Sequence, residues 1–142
     1  MKTTARNQFP GRVSQVKVGA VNDEIELEIA GGQKIVAVVT RGSAETLGLI
    51  PGAAAFALIK ASSVILVTEA QDVKFSARNQ MSGVVTRVQT GAVNTEVVLD
   101  IDGGGAIVAI VTNESSDNLA LAVGATVMAI FKASSVILGV PA

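Results

Sequence analysis

An all-β fold made of two tandem five-stranded barrels is predicted by three observations in the 142-residue sequence. First, the chain is one unit written twice. Ala5-Arg6-Asn7-Gln8 returns as Ala77-Arg78-Asn79-Gln80, and Gly19-Ala20-Val21-Asn22 returns as Gly91-Ala92-Val93-Asn94. Lys60-Ala61-Ser62-Ser63-Val64-Ile65-Leu66 returns as Lys132-Ala133-Ser134-Ser135-Val136-Ile137-Leu138, again 72 positions later and without a gap. Second, the apolar residues of each unit alternate with polar ones at a period of two, the mark of half-buried antiparallel strands. Third, a short capped segment interrupts the strands after the third, which gives the element order of an OB-type barrel.

Each element follows from its residues. Val16 and Val18 flank Lys17, and Ile25, Leu27 and Ile29 alternate with Glu24, Glu26 and Glu28, predicting the first two strands. Gly31-Gly32 is the turn to a third run, residues 34–40, and residues 53–60 and 63–68 supply two more. Between the third and fourth lies Ser43-Ala44-Glu45-Thr46-Leu47-Gly48, with Ser43 as N-cap and Gly48 as stop of a short helix. The second copy repeats the plan, with Val97, Leu99 and Ile101 inward on strand two and Ser115 as the cap. The repeat sets domain boundaries at 1–68 and 76–142, joined by a mostly polar linker at 69–75. Units of about 65 residues bury only about 60% of their chain surface and are marginal alone, so pairing within and between chains is expected.

Composition excludes several chemistries. The chain has no His, Cys, Trp or Tyr, and its 11 basic and 12 acidic residues leave a net charge of −1. Without imidazole or thiolate there are no ligands for structural zinc, iron–sulfur, haem or copper, and no Ser-His-Asp or Cys-His nucleophile. No metal cation is therefore expected to be bound directly by side chains, and an enzyme is not expected. Nucleic-acid binders carry a basic excess and stacking aromatics; here the only aromatics are Phe9, Phe56, Phe75 and Phe131. The N-terminal stretch MKTTARNQFPGR lacks the apolar region of a secretory signal, and no apolar run approaches the ~18 residues that span a bilayer. A cytoplasmic protein with neither nucleic acid nor membrane as partner is the expectation.

The polar motifs narrow the chemistry further. Glu24, Glu26 and Glu28 share one strand face with no sign of environments tuned apart, so they read as an exposed polar face rather than as a catalytic pair. Gly31-Gly32 and Gly103-Gly104-Gly105 precede no Lys-Ser/Thr helix start and read as hairpin turns. The remaining set is rich in donors. Each unit opens with a hydroxyl and an arginine, Thr4 and Arg6 or Ser76 and Arg78, and closes with Lys60-Ala61-Ser62 or Lys132-Ala133-Ser134. Arg gives a planar fork of donors, Lys a mobile charge, and Ser or Thr a neutral donor. A tetrahedral oxyanion needs several charge-assisted donors from different directions. On the residues alone this set reads either as an oxyanion site or as solvated charges kept by duplication.

A resemblance bears on that choice. Ala-Arg-Asn-Gln near the start, Gly-Ala-Val-Asn before strand two and Lys-Ala-Ser-Ser-Val-Ile-Leu at the end, in that order and twice, resemble the molybdate-binding Mop domain of the molbindins. The resemblance covers nearly the whole chain. It implies OB-type units that bind molybdate or tungstate at interfaces between units, in a cytoplasmic homotrimer devoted to molybdenum storage and homeostasis. The alternative it implies is a molybdate-sensing regulatory module acting through a protein partner. Carried over by motif position, one class of site uses Thr4 and Arg6 from one unit with Lys60, the Ala61 backbone and Ser62 from a neighbouring one. The equivalent set is Ser76 and Arg78 with Lys132, Ala133 and Ser134. A second class, near the symmetry axis, uses Gly19, Ala20, Val21 and Asn22, and Gly91, Ala92, Val93 and Asn94. Thr4 departs from the commoner Ser but keeps the hydroxyl. Which copy's Arg faces which copy's Lys stays open.

Overall fold

The computed structural model describes all 142 residues. In chain order the first repeat forms β1 (Asn7–Lys17), β2 (Asn22–Ile29), β3 (Lys34–Thr40), α1 (Arg41–Leu47), β4 (Ala54–Ile59) and β5 (Ile65–Val67). The second forms β6 (Asn79–Thr90), β7 (Asn94–Ile101), β8 (Ala106–Thr112), α2 (Asn113–Asn118), β9 (Thr126–Phe131) and β10 (Ile137–Gly139). A single 3₁₀ turn, Ala61–Ser63 or Ala133–Ser135, precedes each last strand. All strand pairs are antiparallel. The fold is all-β, two five-stranded curled sheets with little helix, as the alternation predicts.

The alternation also chooses the buried face. Ile25, Leu27 and Ile29 are buried on β2, as are Val97, Leu99 and Ile101 on β7, while Glu24, Glu26 and Glu28 lie on the other face. Glu26 accepts from the Ser14 hydroxyl at 2.9 Å and pairs with Lys34 at 3.2 Å, so its carboxylate is tied to its own strand face. The first strand differs from expectation. It begins earlier, at Asn7, and its inward residues are Asn7, Phe9 and Val13, whereas Val18 lies beyond its end and is exposed. A shift in register between Val13 and Gln15 reverses the alternation there, a β-bulge repeated between Val85 and Arg87.

The helix cap lies three residues earlier than predicted. Thr40, not Ser43, is the N-cap of α1: its hydroxyl accepts the Ser43 N–H at 3.1 Å and donates to the Ser43 hydroxyl at 2.8 Å. Thr112 and Ser115 repeat this on α2. The stop is as predicted in the first copy, where Gly48 takes φ +63° and its N–H closes the last turn. In the second copy that position is Ala120, which enters the same left-handed region at φ +51°.

The compact units are not the sequence repeats. The first is Met1–Ile59 with Lys132–Ala142, and the second is Lys60–Phe131. Accordingly the sheets run β10-β4-β1-β2-β3 and β5-β9-β6-β7-β8, each completed by the short last strand of the other repeat. The boundaries 1–68 and 76–142 therefore describe the repeat but not the packing: β5 and β10 are exchanged. The residues permit the exchange without dictating it. Lys60–Leu66 and Lys132–Leu138 are the same seven amino acids. Ala61, Val64 and Leu66, or Ala133, Val136 and Leu138, therefore fill either barrel equally well, and all six are buried. In the first unit the turn at 133–135 packs against β3, and in the second the turn at 61–63 packs against β8, closing each curled sheet.

Candidate oxyanion sites

Two regions in each unit carry the expected donors. In the first unit β1 and β10 both pair with β4, Gln8 and Ile137 lying opposite the same residue, Leu58. β1 and β10 are therefore parallel. The segments that precede them, Thr4-Ala5-Arg6 and Ala133-Ser134-Ser135, leave the same end of the sheet. The second unit repeats this with Ser76-Ala77-Arg78 and Ala61-Ser62-Ser63, since Gln80 and Ile65 both lie opposite Ile130. As a consequence of the exchange, Thr4 and Arg6 share a compact unit with Lys132, Ala133 and Ser134. Ser76 and Arg78 share theirs with Lys60, Ala61 and Ser62.

Each residue of the opening motif has its own task. Asn7 and Asn79 are buried, anchoring the strand start in the core. Gln8 donates from Nε2 to the Ala5 carbonyl at 3.2 Å, and Gln80 donates to the Ala77 carbonyl at 2.9 Å and to that of Phe75 at 3.2 Å. The turn that carries the arginine is thus pinned from both sides. Arg6 and Arg78 are exposed residues, as are Thr4 and Ser76. In the closing motif Ala61 and Ala133 are buried, while Lys60, Ser62, Lys132 and Ser134 are exposed. Lys60 follows Ile59, the residue opposite Asn7, and Lys132 follows Phe131, the residue opposite Asn79. Neither ammonium has an ion-pair partner in the chain, so both charges stay available.

The second region is the β1–β2 connection, Gly19–Asn22, and its β6–β7 copy, Gly91–Asn94. A side chain at Gly19 would run into the Asn22 carbonyl oxygen, and a Cβ at Gly91 would lie 2.9 Å from that of Asn94. Only glycine lets this loop close so tightly. The N–H groups of Ala20 and Val21, like those of Ala92 and Val93, donate to no backbone carbonyl in the chain. Both loops therefore present amide donors to solvent, with Val21 and Val93 more than 70% exposed beside them.

Sequence reasoning missed the residues that hold these loops. Arg41 donates from Nη1 to the Gly19 carbonyl at 3.3 Å, and the Asp23 carboxylate accepts the Gly19 N–H at 3.2 Å. In the second copy Asn113 takes the place of Arg41 and Thr95 that of Asp23. Both positions differ between the repeats, but nothing in the sequence links the two differences. No group of three or more Asp and Glu side chains comes together that could hold a metal ion. The set is one of donors.

Comparison with known proteins agrees with the repeat. The TOBE domain matches residues 3–66 and again residues 76–138. The chain belongs to the TOBE-domain family. This tandem TOBE chain is 48% identical over 140 residues to the molybdenum transport protein ModE of Herbaspirillum seropedicae, covering 99% of the chain and 52% of that protein. It is 44% identical over 141 residues to the molybdenum-pterin-binding protein MopA of Rhodobacter capsulatus, covering 99% and 53%. The tandem TOBE chain thus spans about half the length of these curated relatives. Among solved structures it is similar to the cytoplasmic molybdate-binding protein ModG with molybdate bound. That match has a TM-score of 0.95 at 48% identity and covers 99% of this chain and 100% of that one. The tandem OB-type architecture is therefore shared along the whole chain, and the molbindin resemblance read from the motifs stands. No helix of the tandem TOBE chain is long and apolar enough to cross a membrane.

Proposed function

We propose that this chain binds molybdate, and with it tungstate, at interfaces between units of an assembled homotrimer, and serves as an intracellular molybdenum store. The observation that carries the proposal is the match along the full chain to a molybdate-bound protein, with the donor motifs present in both repeats. One class of site takes Thr4 and Arg6 with Lys60, the Ala61 backbone and Ser62, and equally Ser76 and Arg78 with Lys132, Ala133 and Ser134. The other takes the loop amides of Gly19–Asn22 and Gly91–Asn94.

The chemistry fits the ligand. Molybdate offers four oxygens and accepts hydrogen bonds only, and the guanidinium, ammonium, hydroxyl and amide groups of the set can each donate one. Charge-assisted hydrogen bonds contribute about 1.5–3 kcal/mol each, so four or five give a gross ~6–15 kcal/mol before ordering costs. Micromolar affinity corresponds to about 8 kcal/mol, so reversible buffering is within reach without covalent or cation chemistry. A ligand that binds only the assembled form also stabilises the assembly by mass action.

The test is titration calorimetry of the full chain with molybdate, sulfate and phosphate, alongside native mass spectrometry that counts chains and ions together. Uptake of molybdate with little heat from sulfate or phosphate is the expected result. No uptake at ~100 μM free molybdate, far above the micromolar scale, refutes the proposal. Equal binding of sulfate leaves an oxyanion site but removes the molybdenum assignment.

A further inference from the structure

The first residue of each short helix holds two carbonyls of the neighbouring loop. Arg41 donates its backbone N–H to the Val21 carbonyl at 3.0 Å and its Nη1 to the Gly19 carbonyl at 3.3 Å. Asn113 donates its backbone N–H to the Val93 carbonyl at 3.0 Å and its Nδ2 to the Gly91 carbonyl at 3.0 Å. In a trans peptide the N–H points opposite to the C=O of the same unit. Turning the Gly19 carbonyl toward Arg41 therefore turns the Ala20 N–H away from α1 and out to solvent. Asn113 does the same for the Ala92 N–H. In neither copy does that outward amide donate to a backbone carbonyl.

We propose that Arg41 and Asn113 are positioning residues for anion binding by the loop amides, performing one task with a charged group in the first repeat and a neutral one in the second. The inference rests on the molybdate reading of these loops and adds the groups that aim them. The supporting contacts differ between the copies in a way that fits each pair of residues. In the first copy the buried Asp23 carboxylate accepts the Gly19 N–H, and Glu45 accepts from Arg41 Nε at 3.3 Å, which steers the guanidinium along α1. In the second copy the buried Thr95 hydroxyl donates to Asn113 Oδ1 at 2.6 Å, which leaves Nδ2 as the end that faces Gly91. The Gly91 N–H, with no carboxylate to receive it, turns to the Asn94 carbonyl at 2.8 Å. Threonine at 23 beside arginine would remove the carboxylate that accepts the Gly19 N–H in the first copy. Asparagine at 41 beside aspartate would face an acceptor where it needs a donor. Each pair is a matched set.

The test uses the full-length chain with Arg41→Ala, Asn113→Ala, Arg41→Asn and the double change Asp23→Thr/Arg41→Asn. ¹⁵N relaxation without ligand and molybdate calorimetry are run on each. In Arg41→Ala the order parameter at Ala20 should fall from about 0.85 toward 0.6, with molybdate binding at that loop about tenfold weaker, the worth of one hydrogen bond of ~1.4 kcal/mol. Asn113→Ala should do the same at Ala92. The double change, which installs the second repeat's pair, should restore both readouts better than Arg41→Asn alone. Unchanged loop order in both alanine variants overturns the inference even where the wild-type chain takes up molybdate. Loss of loop order in Arg41→Ala and its return in the double change, in a wild-type chain that takes up none, upholds the positioning role and overturns the molybdate reading alone.

Discussion

Removing one methyl-rich side chain from an exchanged strand should weaken the repeat to which that strand does not belong in sequence. Leu138 is 7% exposed on β10, opposite Ala57 of β4 in the first unit. Its counterpart Leu66 is 8% exposed on β5, opposite Ala129 of β9 in the second. A buried Leu→Ala change costs about 2–5 kcal/mol, a large share of the ~5–15 kcal/mol that holds a small domain together. Leu138→Ala should therefore lower the opening free energy of amides in β1–β4, residues 7–59, by a few kcal/mol, while β6–β9 keep theirs. Leu66→Ala should do the reverse. Native-state hydrogen exchange read by peptide mass spectrometry separates the two patterns, because protection reports the stability of each cooperative region. If Leu138→Ala instead deprotects residues 79–131 and spares 7–59, the strands are not exchanged and the compact units are the repeats themselves.

Three further outcomes follow from the same geometry. Ala120→Gly should stabilise the chain: relief of the left-handed cost of about 1–2 kcal/mol outweighs the ~0.4–1 kcal/mol of added unfolded-state entropy. Gly48→Ala should destabilise by a similar amount, and thermal melts of the two variants shifting the same way would contradict the cap assignment. Lys60→Ala and Lys132→Ala, at exposed positions, should leave stability within about 0.5 kcal/mol yet weaken molybdate binding about ten- to hundredfold; calorimetry showing unchanged affinity in both would remove the lysines from the site. With no histidine, the chain has no side-chain type that ordinarily titrates between about pH 5 and 8. Affinity should therefore be nearly flat from about pH 6 to 8, and a steep change there would contradict a site built from Arg, Lys, hydroxyl and amide donors.

How much of this was legible in the sequence differs by element. β3 falls on the predicted residues 34–40, and the inward residues of β2 and β7 are those the alternation names, because a strand with one wet face must alternate. The helix cap was misread for a local reason: Thr40 closes a run of β-branched residues, so its role as a cap is masked by its role as a strand end. The exchange was illegible in principle. Two identical heptapeptides carry no information about which barrel each completes, and only the chain path decides. The donors of the opening and closing motifs were legible as residue types. Their division between the compact units was not, because it follows the exchange. The Arg41 and Asn113 anchors were legible only as a difference. Positions 23 and 41 are 18 residues apart, and nothing links their joint change until β2 and α1 bring both side chains to Gly19.

The exchange also sharpens the meaning of the repeated heptapeptide. Interchangeable packing demands that the buried members match, and it accounts for Ala61, Val64 and Leu66 recurring as Ala133, Val136 and Leu138. It makes no demand on residues that face solvent. Yet Lys60, Ser62 and Ile65 recur as Lys132, Ser134 and Ile137, with both isoleucines more than half exposed. The outward face of the helical turn between β3 and β4 shows what the same duplication does without such a demand: Gly42, Glu45 and Thr46, all exposed, have become Glu114, Asp117 and Asn118. The proposed molybdate site would place a demand of that kind on the exposed lysine and serine. An oxyanion met by the lysine and the serine, at an interface that covers the isoleucine, is one arrangement that requires every one of them.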